Sequence, residues 1–96
     1  MRYEIILAPE ALEDSKDFST RHQSQIKSAI EVHLRYEPAK ISKSRIKRLQ
    51  GVSKPQFRRR VNDFRVYYDV IESKVNVLAI VSKMEGIKWL EKHGKK

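Results

Sequence analysis

The chain has 96 residues, of which 40% are hydrophobic and 34% charged, and it carries a formal net charge of +9. That length suits one domain with its own core, so we expect a single domain over residues 1–96. The absence of cysteine excludes a disulfide scaffold and a thiolate zinc site, and it is compatible with the cytoplasm. No apolar run is long enough for a signal peptide or a membrane span. The positive charge favours a polyanionic partner, either nucleic acid or an acidic protein, over a basic surface with no partner.

The first part of the chain predicts a strand followed by two helices. Residues 2–7 form a short apolar, β-branched run typical of a strand. Pro9 suits the first turn of a helix, and Ser19 or Thr20 can cap a second helix. Apolar residues recur at helical spacing after that cap until Pro38. Because almost nothing separates the two helices, we expect an antiparallel helix hairpin.

The second part predicts strands and a final helix. Residues 37–56 are irregular and basic, with a possible short strand around 45–50, and residues 57–70 read as a hairpin. Residues 75–83 are apolar on both faces, which indicates an interior strand, and residues 85–94 form a short helix. The order β-α-α-β-β-β(-β)-α predicts an α+β fold. The helix hairpin then packs on one face of a mostly antiparallel sheet, and the other, basic face is left to water or a partner.

The stretch FRRRVNDFRVYYDV sorts its arginines by face. A two-residue turn at Asn62-Asp63 would place Arg60 opposite Arg65 and Arg58 opposite Tyr67. Side chains alternate across a strand with a period of two, so these four residues share one face with Asp69.

The other face of this hairpin is apolar apart from Arg59, whose side chain we expect to extend past the sheet edge. Like charges opposite one another in a sheet are destabilising, and a local rule broken without structural gain is expected at functional sites. The alternative is that the arginine stems splay into solvent. We favour the functional interpretation because three guanidiniums converge on one sheet face.

Four segments together resemble a known family nearly from end to end. They are YEIILAPEALEDSKDF at the start, RLQG at 48–51, FRRRVNDFRVYYDV at 57–70 and VNVLAIVSKMEG at 75–86. The chain resembles toxins of the RelE/ParE superfamily, from bacterial type II toxin–antitoxin modules. The resemblance implies a compact α+β fold of the kind already predicted from the residues.

The resemblance also implies one of two activities. RelE-like members enter the ribosomal A site and cut mRNA, whereas ParE-like members inhibit DNA gyrase. Both are neutralised by an antitoxin that wraps the toxin. We predict the RelE-like activity, a ribosome-dependent mRNA endonuclease that inhibits translation. The expected partners are an acidic antitoxin, in a hetero-oligomer, and the ribosome with its 16S rRNA and A-site mRNA.

The resemblance places the chemistry on the hairpin and at the end of the last strand. RelE ribonucleases often carry a tyrosine after that strand, and here Trp89 or Leu90 falls near its place. The missing tyrosine favours the gyrase inhibitor, and the basic-x-basic strand favours the ribonuclease. A third alternative is a nucleic-acid-binding module without chemistry. The positions that match the catalytic pattern are Arg58, Arg60, Arg65, and Lys83 or its neighbour Met84.

Cleavage of RNA through its own 2′-hydroxyl needs a proton acceptor, a stabiliser of phosphoryl charge and help for the leaving 5′-oxygen. Guanidinium groups suit the second task because they bind two phosphate oxygens at once, but they are poor bases. The proton acceptor is left open: Lys83 and Glu85 rank first, ahead of Tyr67 and His93. No metal-ligand spacing is present, so we predict a metal-independent reaction without a cofactor.

Further basic and aromatic residues are predicted to bind RNA. The basic loop should contact ribosomal RNA phosphates and position the protein, although a solvated charge run is an equal alternative. Trp89 has a ring that can stack on a base, yet packing of a terminal helix on its own sheet is the safer interpretation. The predicted RNA-binding residues are Lys43, Arg45, Lys47, Arg48, Tyr67 and Trp89.

Overall fold

A five-stranded mixed sheet with helices on both faces organises residues 2–42 and 45–96, which are the residues that the computed structural model describes. No helix in this part of the chain is both long and apolar enough to span a membrane. The elements, in chain order, are β1 Glu4–Leu7, α1 Pro9–Lys16, α2 Thr20–Ala29, β2 Ile46–Arg48, β3 Phe57–Val61, β4 Phe64–Ile71, β5 Lys74–Ser82 and α3 Lys83–His93.

The strands lie in the order β1-β5-β4-β3-β2. β1 runs parallel to β5, and the other neighbouring strands are antiparallel. β5 is therefore flanked on both sides, which explains why it is apolar on both faces and confirms its predicted interior position. The predicted α+β architecture is confirmed.

The two N-terminal helices form the predicted hairpin and cover one face of the sheet. Pro9 occupies the first turn of α1, and the Ser19 hydroxyl accepts a hydrogen bond from the backbone N–H of His22 at the start of α2. α2 continues into one π-helical turn, Ile30–Leu34. The core on this face combines buried residues of the helices with those of the strands, namely Ala11, Ile26, Ile30, Leu34, Phe57, Val66, Tyr68, Val75 and Val77.

The C-terminal helix packs on the opposite face, the one that the sequence left to water or a partner. The Ser82 hydroxyl caps α3 by accepting from the N–H of Glu85. The rings of Trp89 and Tyr67 stack with centroids 5.1 Å apart and an interplanar angle of 6°. A second, smaller cluster of Tyr67, Ala79 and Val81 forms beneath this helix. Part of the second face of the sheet is thus covered by α3 and is not open to water or a partner.

The β3–β4 hairpin has the predicted turn and register. Arg60 lies opposite Arg65, and Arg58 lies opposite Tyr67. Asn62 adopts φ 53°, in the left-handed region that asparagine tolerates better than most residues. The register prediction is therefore confirmed, and with it the assignment of these side chains to one side of the ribbon.

Candidate functional site on the basic hairpin

Arg58, Arg60 and Arg65 form the arginine cluster of the β3–β4 hairpin, and Arg65 is its buried member. Its side chain is 7% exposed, and its Nη1 donates to the carbonyl oxygens of Phe64, at 3.0 Å, and Asn62, at 3.3 Å. These hydrogen bonds hold carbonyls of the turn that joins the two strands. Arg65 therefore supports the hairpin as well as contributing positive charge.

Arg58 and Arg60 lie close enough to Arg65 to change its titration. Burial, together with the positive charges of Arg58 and then Arg60, lowers the pKa of Arg65 below its ordinary value. Within residues 2–42 and 45–96, the ion pairs join Lys16 to Glu13, Arg35 to Glu31 and Lys40 to Glu37, and none involves a hairpin arginine. The cluster is a concentration of positive charge that an anion can offset.

The three arginines differ in their access to a ligand. Arg60 is exposed and Arg58 is half-buried. The Arg58 Nε is buried and has no hydrogen-bond partner among the described residues. A buried, unpaired donor is unfavourable, and a phosphate oxygen would satisfy it. Arg58 and Arg60 are consequently the members of the cluster best placed to bind an anion.

Tyr67 is not displayed for base stacking in this structure. It is 3% exposed, and Trp89 covers its ring. Its hydroxyl lies against α3, because a Cβ added at Gly86 would be 2.7 Å from that oxygen. Burial raises the pKa of Tyr67 despite the nearby charges of Arg58 and Arg65, so the phenol is protonated at neutral pH and is no base.

Lys83 and Glu85, the two proton-acceptor candidates at the start of α3, interact with different parts of the molecule. The backbone N–H of Lys83 donates to the carbonyl of Asp63 at 2.6 Å, which fastens the exposed Lys83 to the hairpin turn. Glu85 instead contributes to the raised pKa of Asp14 on α1, whose main cause is burial. The backbone of Lys83 is therefore tied to the hairpin turn, whereas the carboxylate of Glu85 acts on α1.

The neighbour Met84 is 88% exposed. Trp89 is half-buried between Tyr67 and His93, whose ring centroid lies 5.2 Å away. Packing on the sheet, which the sequence favoured for Trp89, is what the structure contains. An RNA-stacking role for Trp89 stays a prediction.

The predicted RNA-binding loop is divided between the two faces of the sheet. Lys47 lies opposite Arg58 in the register, so it extends the basic face. Arg48 lies opposite Phe57, on the helix-hairpin side, and its guanidinium sits 5.2 Å from the centre of that ring. The carbonyl of Arg45 accepts from the N–H of Arg60 at 2.7 Å. The last predicted member, Lys43, lies outside the described residues.

Arg59 is where the sequence-based expectation was wrong. Its side chain is 6% exposed, so it does not extend into solvent past the sheet edge. β2 pairs Ile46 with Arg59 and closes that edge. The sequence predicted a strand near residues 45–50 but carried no signal for its partner. Burial and the charge of Arg45 lower the pKa of Arg59, whose Nε has no hydrogen-bond partner in the described part of the chain.

No group of three or more metal-ligating side chains converges on one point within residues 2–42 and 45–96. The side chains of the hairpin best placed to bind an anion are those of Arg58 and Arg60. Their arrangement suits binding and charge stabilisation of a phosphate group.

No family model and no curated protein matches this chain. Solved structures do match. An archaeal RelE–RelB complex from Pyrococcus horikoshii OT3 aligns with a TM-score of 0.71 and 21% identity, over 86% of this chain and 97% of that one. The RelBE2 toxin–antitoxin complex from Mycobacterium tuberculosis aligns with a TM-score of 0.74 and 18% identity, over 85% and 92%. The YoeB dimer from Staphylococcus aureus aligns with a TM-score of 0.61 and 21% identity, over 84% and 97%. At these identities the likeness is one of fold.

Proposed function

We propose that this chain, whose fold is the RelE-like toxin fold, is the toxin of a toxin–antitoxin module and cuts mRNA on the ribosome. The observation that carries the proposal is the unpaired arginine cluster of the β3–β4 hairpin. Arg60 is exposed, Arg58 is half-buried, Arg65 opposite Arg60 is buried, and the backbone of Lys83 is hydrogen-bonded to the same turn. Such a cluster on a rigid ribbon is suited to a phosphodiester, because it fixes several charge-assisted donors in place.

In the proposed reaction the RNA supplies its own nucleophile. The 2′-oxygen attacks the adjacent phosphorus, its proton passes to a base, and the bond from phosphorus to the 5′-oxygen breaks. The products are a 2′,3′-cyclic phosphate and a 5′-hydroxyl that gains a proton. Arg58 and Arg60 stabilise the charge that builds on the phosphoryl oxygens, and Arg65 positions the hairpin. No metal ion or cofactor takes part in this scheme.

Lys83 is our first assignment for the proton acceptor. Its backbone N–H donates to the carbonyl of Asp63, which ties the start of α3 to the turn that carries the arginine cluster. Glu85 ranks second because it lies toward Asp14 on α1. Tyr67 is ruled out of this role by its burial and its raised pKa.

The proposed partner is an acidic antitoxin that binds in a hetero-oligomer. The matching structures from Pyrococcus horikoshii and Mycobacterium tuberculosis are of toxin–antitoxin complexes. A net charge of +9 suits an acidic partner that offsets the basic hairpin and excludes RNA from it.

Cleavage of mRNA on translating ribosomes tests the proposal. Arg60→Ala removes an exposed guanidinium and should lower the cleavage rate roughly 100-fold or more, as loss of one charge-stabilising donor does in other enzymes. Lys74→Gln is the matched control, because Lys74 is an exposed cation at the start of β5, the strand end remote from Ser82 and the hairpin turn. Primer extension on ribosome-bound mRNA gives the cut sites and rates. Equal cleavage by Arg60→Ala and the control would exclude the assignment.

A gyrase inhibitor of the ParE type is the second candidate. What favours it is that α3 offers no tyrosine to the hairpin face, and the aromatic residue near that position, Trp89, is engaged with Tyr67. A DNA supercoiling assay separates the two functions. Inhibition of gyrase without mRNA cleavage would replace our first choice. Salt-sensitive RNA binding with neither activity would instead indicate a binding module without chemistry.

A further inference from the structure

A second basic concavity lies on the helix side of the sheet. It is a groove of about 570 Å³ between α2, the π-helical turn and the end of β3, which we call the α2–β3 groove. Its lining includes the polar side chains of Ser24, Ser28, His33, Arg45, Arg59 and Arg60.

Arg59 places a positive charge in this groove without a counter-charge among the described residues that line it. Its Nε is buried and has no hydrogen-bond partner among the described residues. The charged group that acts most strongly on Arg59 is another cation, Arg45. Burial is the largest cause of the lowered pKa of His33, and the charges of Arg59 and Arg45 add to it. No carboxylate is among the residues that line the groove in the described ranges. Arg59 is thus a largely buried cation without a carboxylate in the described groove lining, and an anion bound in the groove would offset its charge.

The lining supplies the donors that a phosphate group needs. Arg59 and Arg45 offer guanidinium N–H groups, and Ser24 and Ser28 offer hydroxyls from successive turns of α2. Oxygen atoms of a phosphate accept from both kinds of donor. We propose that the α2–β3 groove binds a backbone phosphate of RNA.

Continuity with the hairpin favours RNA over an acidic peptide. Arg60 lines the α2–β3 groove and also belongs to the arginine cluster of the proposed active site. One RNA strand can therefore contact the cluster with one phosphate and the groove with another. The inference rests on the proposed function, and it makes Arg59 an RNA-positioning residue that acts on affinity and not on the chemical step.

NMR of the full chain labelled with ¹⁵N tests the site directly, because each arginine gives its own Nε–Hε resonance. The probes are inorganic phosphate, a short single-stranded RNA with 2′-O-methyl groups that cannot be cut, and a polyglutamate peptide. We expect the RNA to shift the Arg59 resonance saturably, together with that of Arg58, and inorganic phosphate to reverse the Arg59 shift by competition.

A pair of variants tests the same site without removing Arg59, because truncation of a buried side chain also destabilises the fold. Ser28→Glu places a carboxylate in the groove from an exposed helix position, and Ser28→Gln is the uncharged control of similar size. We expect Ser28→Glu to bind the RNA roughly tenfold more weakly than Ser28→Gln, the effect of losing one charge-assisted contact.

Three outcomes would overturn the proposal. The first is an Arg59 resonance that the RNA leaves unchanged while equal RNA affinity is measured for the two Ser28 variants. The second is a shift by polyglutamate but not by RNA, which would make the groove a protein-binding site. The third is a shift by inorganic phosphate alone. Binding is measured without ribosomes, so it is independent of mRNA cleavage. If the chain binds RNA in the groove but cuts no mRNA, the proposed function is overturned and the groove proposal is not.

Discussion

At the scale of single residues, the arginines of the hairpin have distinct tasks although their sequence letters are the same. Arg65 is buried and donates to two carbonyls of the turn, whereas Arg60 is exposed and makes its contribution through charge. A buried charged donor supports the fold, and an exposed one is available to a ligand. We therefore expect substitution of Arg65 to lower stability and substitution of Arg60 to lower activity.

Substitution of Arg65 and Arg60 by alanine tests that separation. Arg65→Ala leaves turn carbonyls without their donor and should lower the free energy of unfolding by about 1–3 kcal/mol. Arg60→Ala should change it by no more than about 0.5 kcal/mol, as exposed substitutions commonly do. Urea denaturation followed by circular dichroism measures both. Equal stability of the two variants would show that the Arg65 hydrogen bonds do not support the turn.

His33 gives a pH dependence with a defined sign. Burial first, and then the charges of Arg59 and Arg45, lower the pKa of His33 in the folded chain, while Glu37 opposes the shift. As the pH falls below about 6.5, His33 therefore binds a proton more readily in the unfolded chain than in the folded chain. The His33 contribution to stability is therefore constant above that pH and is lost as the pH falls below it.

His33→Gln should remove this contribution. The urea midpoint of the parent chain should fall more steeply between pH 7 and pH 5 than that of His33→Gln. His22→Gln provides the control, because His22 is an exposed residue of α2. Parallel pH profiles for the parent chain and His33→Gln would contradict the assignment.

At the scale of elements, two contacts with Tyr67 help to hold α3 on the sheet. Gly86 lets the helix backbone approach the Tyr67 hydroxyl, and Trp89 stacks on the same ring. Glycine lowers helix propensity by about 1 kcal/mol relative to alanine. Its presence in the first turns of α3 is explained by the space that Tyr67 occupies.

A double-mutant cycle on Gly86 and Tyr67 isolates this contact. Gly86→Ala alone should destabilise the chain by about 1–3 kcal/mol through overpacking against the hydroxyl. In a Tyr67→Phe background the oxygen is gone, so the same change should be neutral or stabilising by up to about 1 kcal/mol. The coupling energy is obtained from urea denaturation of the four chains. Additive effects would mean that Gly86 and Tyr67 do not meet.

At the scale of the whole molecule, positive charge is distributed over both faces of the sheet. Lys47, Arg58 and Arg60 belong to the hairpin face, and Arg45 and Arg59 line the α2–β3 groove. A group of acidic side chains surrounds Asp14 on α1, where Glu10, Glu13 and Glu85 contribute to the raised pKa of Asp14. This separation of charge gives the molecule one end suited to a polyanion.

Salt dependence measures how many phosphates that end contacts. Each phosphate neutralised on single-stranded RNA contributes about 0.7 to the slope of log affinity against log salt concentration. Lys47→Gln should lower the magnitude of the slope by about that amount, and Lys74→Gln should leave it unchanged. Fluorescence anisotropy of a labelled RNA over a range of salt concentrations gives the slopes. The same slope for both variants would place Lys47 outside the RNA interface.

The sequence by itself determined the features that depend on local geometry. The period of two along a strand and the Asn62-Asp63 turn fixed which arginines share a face, and the helical spacing and caps fixed the helix hairpin. Tertiary structure alone decided how distant elements meet. Three such contacts join residues far apart in the chain: the parallel pairing of β1 with β5, the pairing of β2 with β3 at buried Arg59, and the stacking of Trp89 on Tyr67. Such contacts depend on the packing of whole elements, for which periodicity carries no signal.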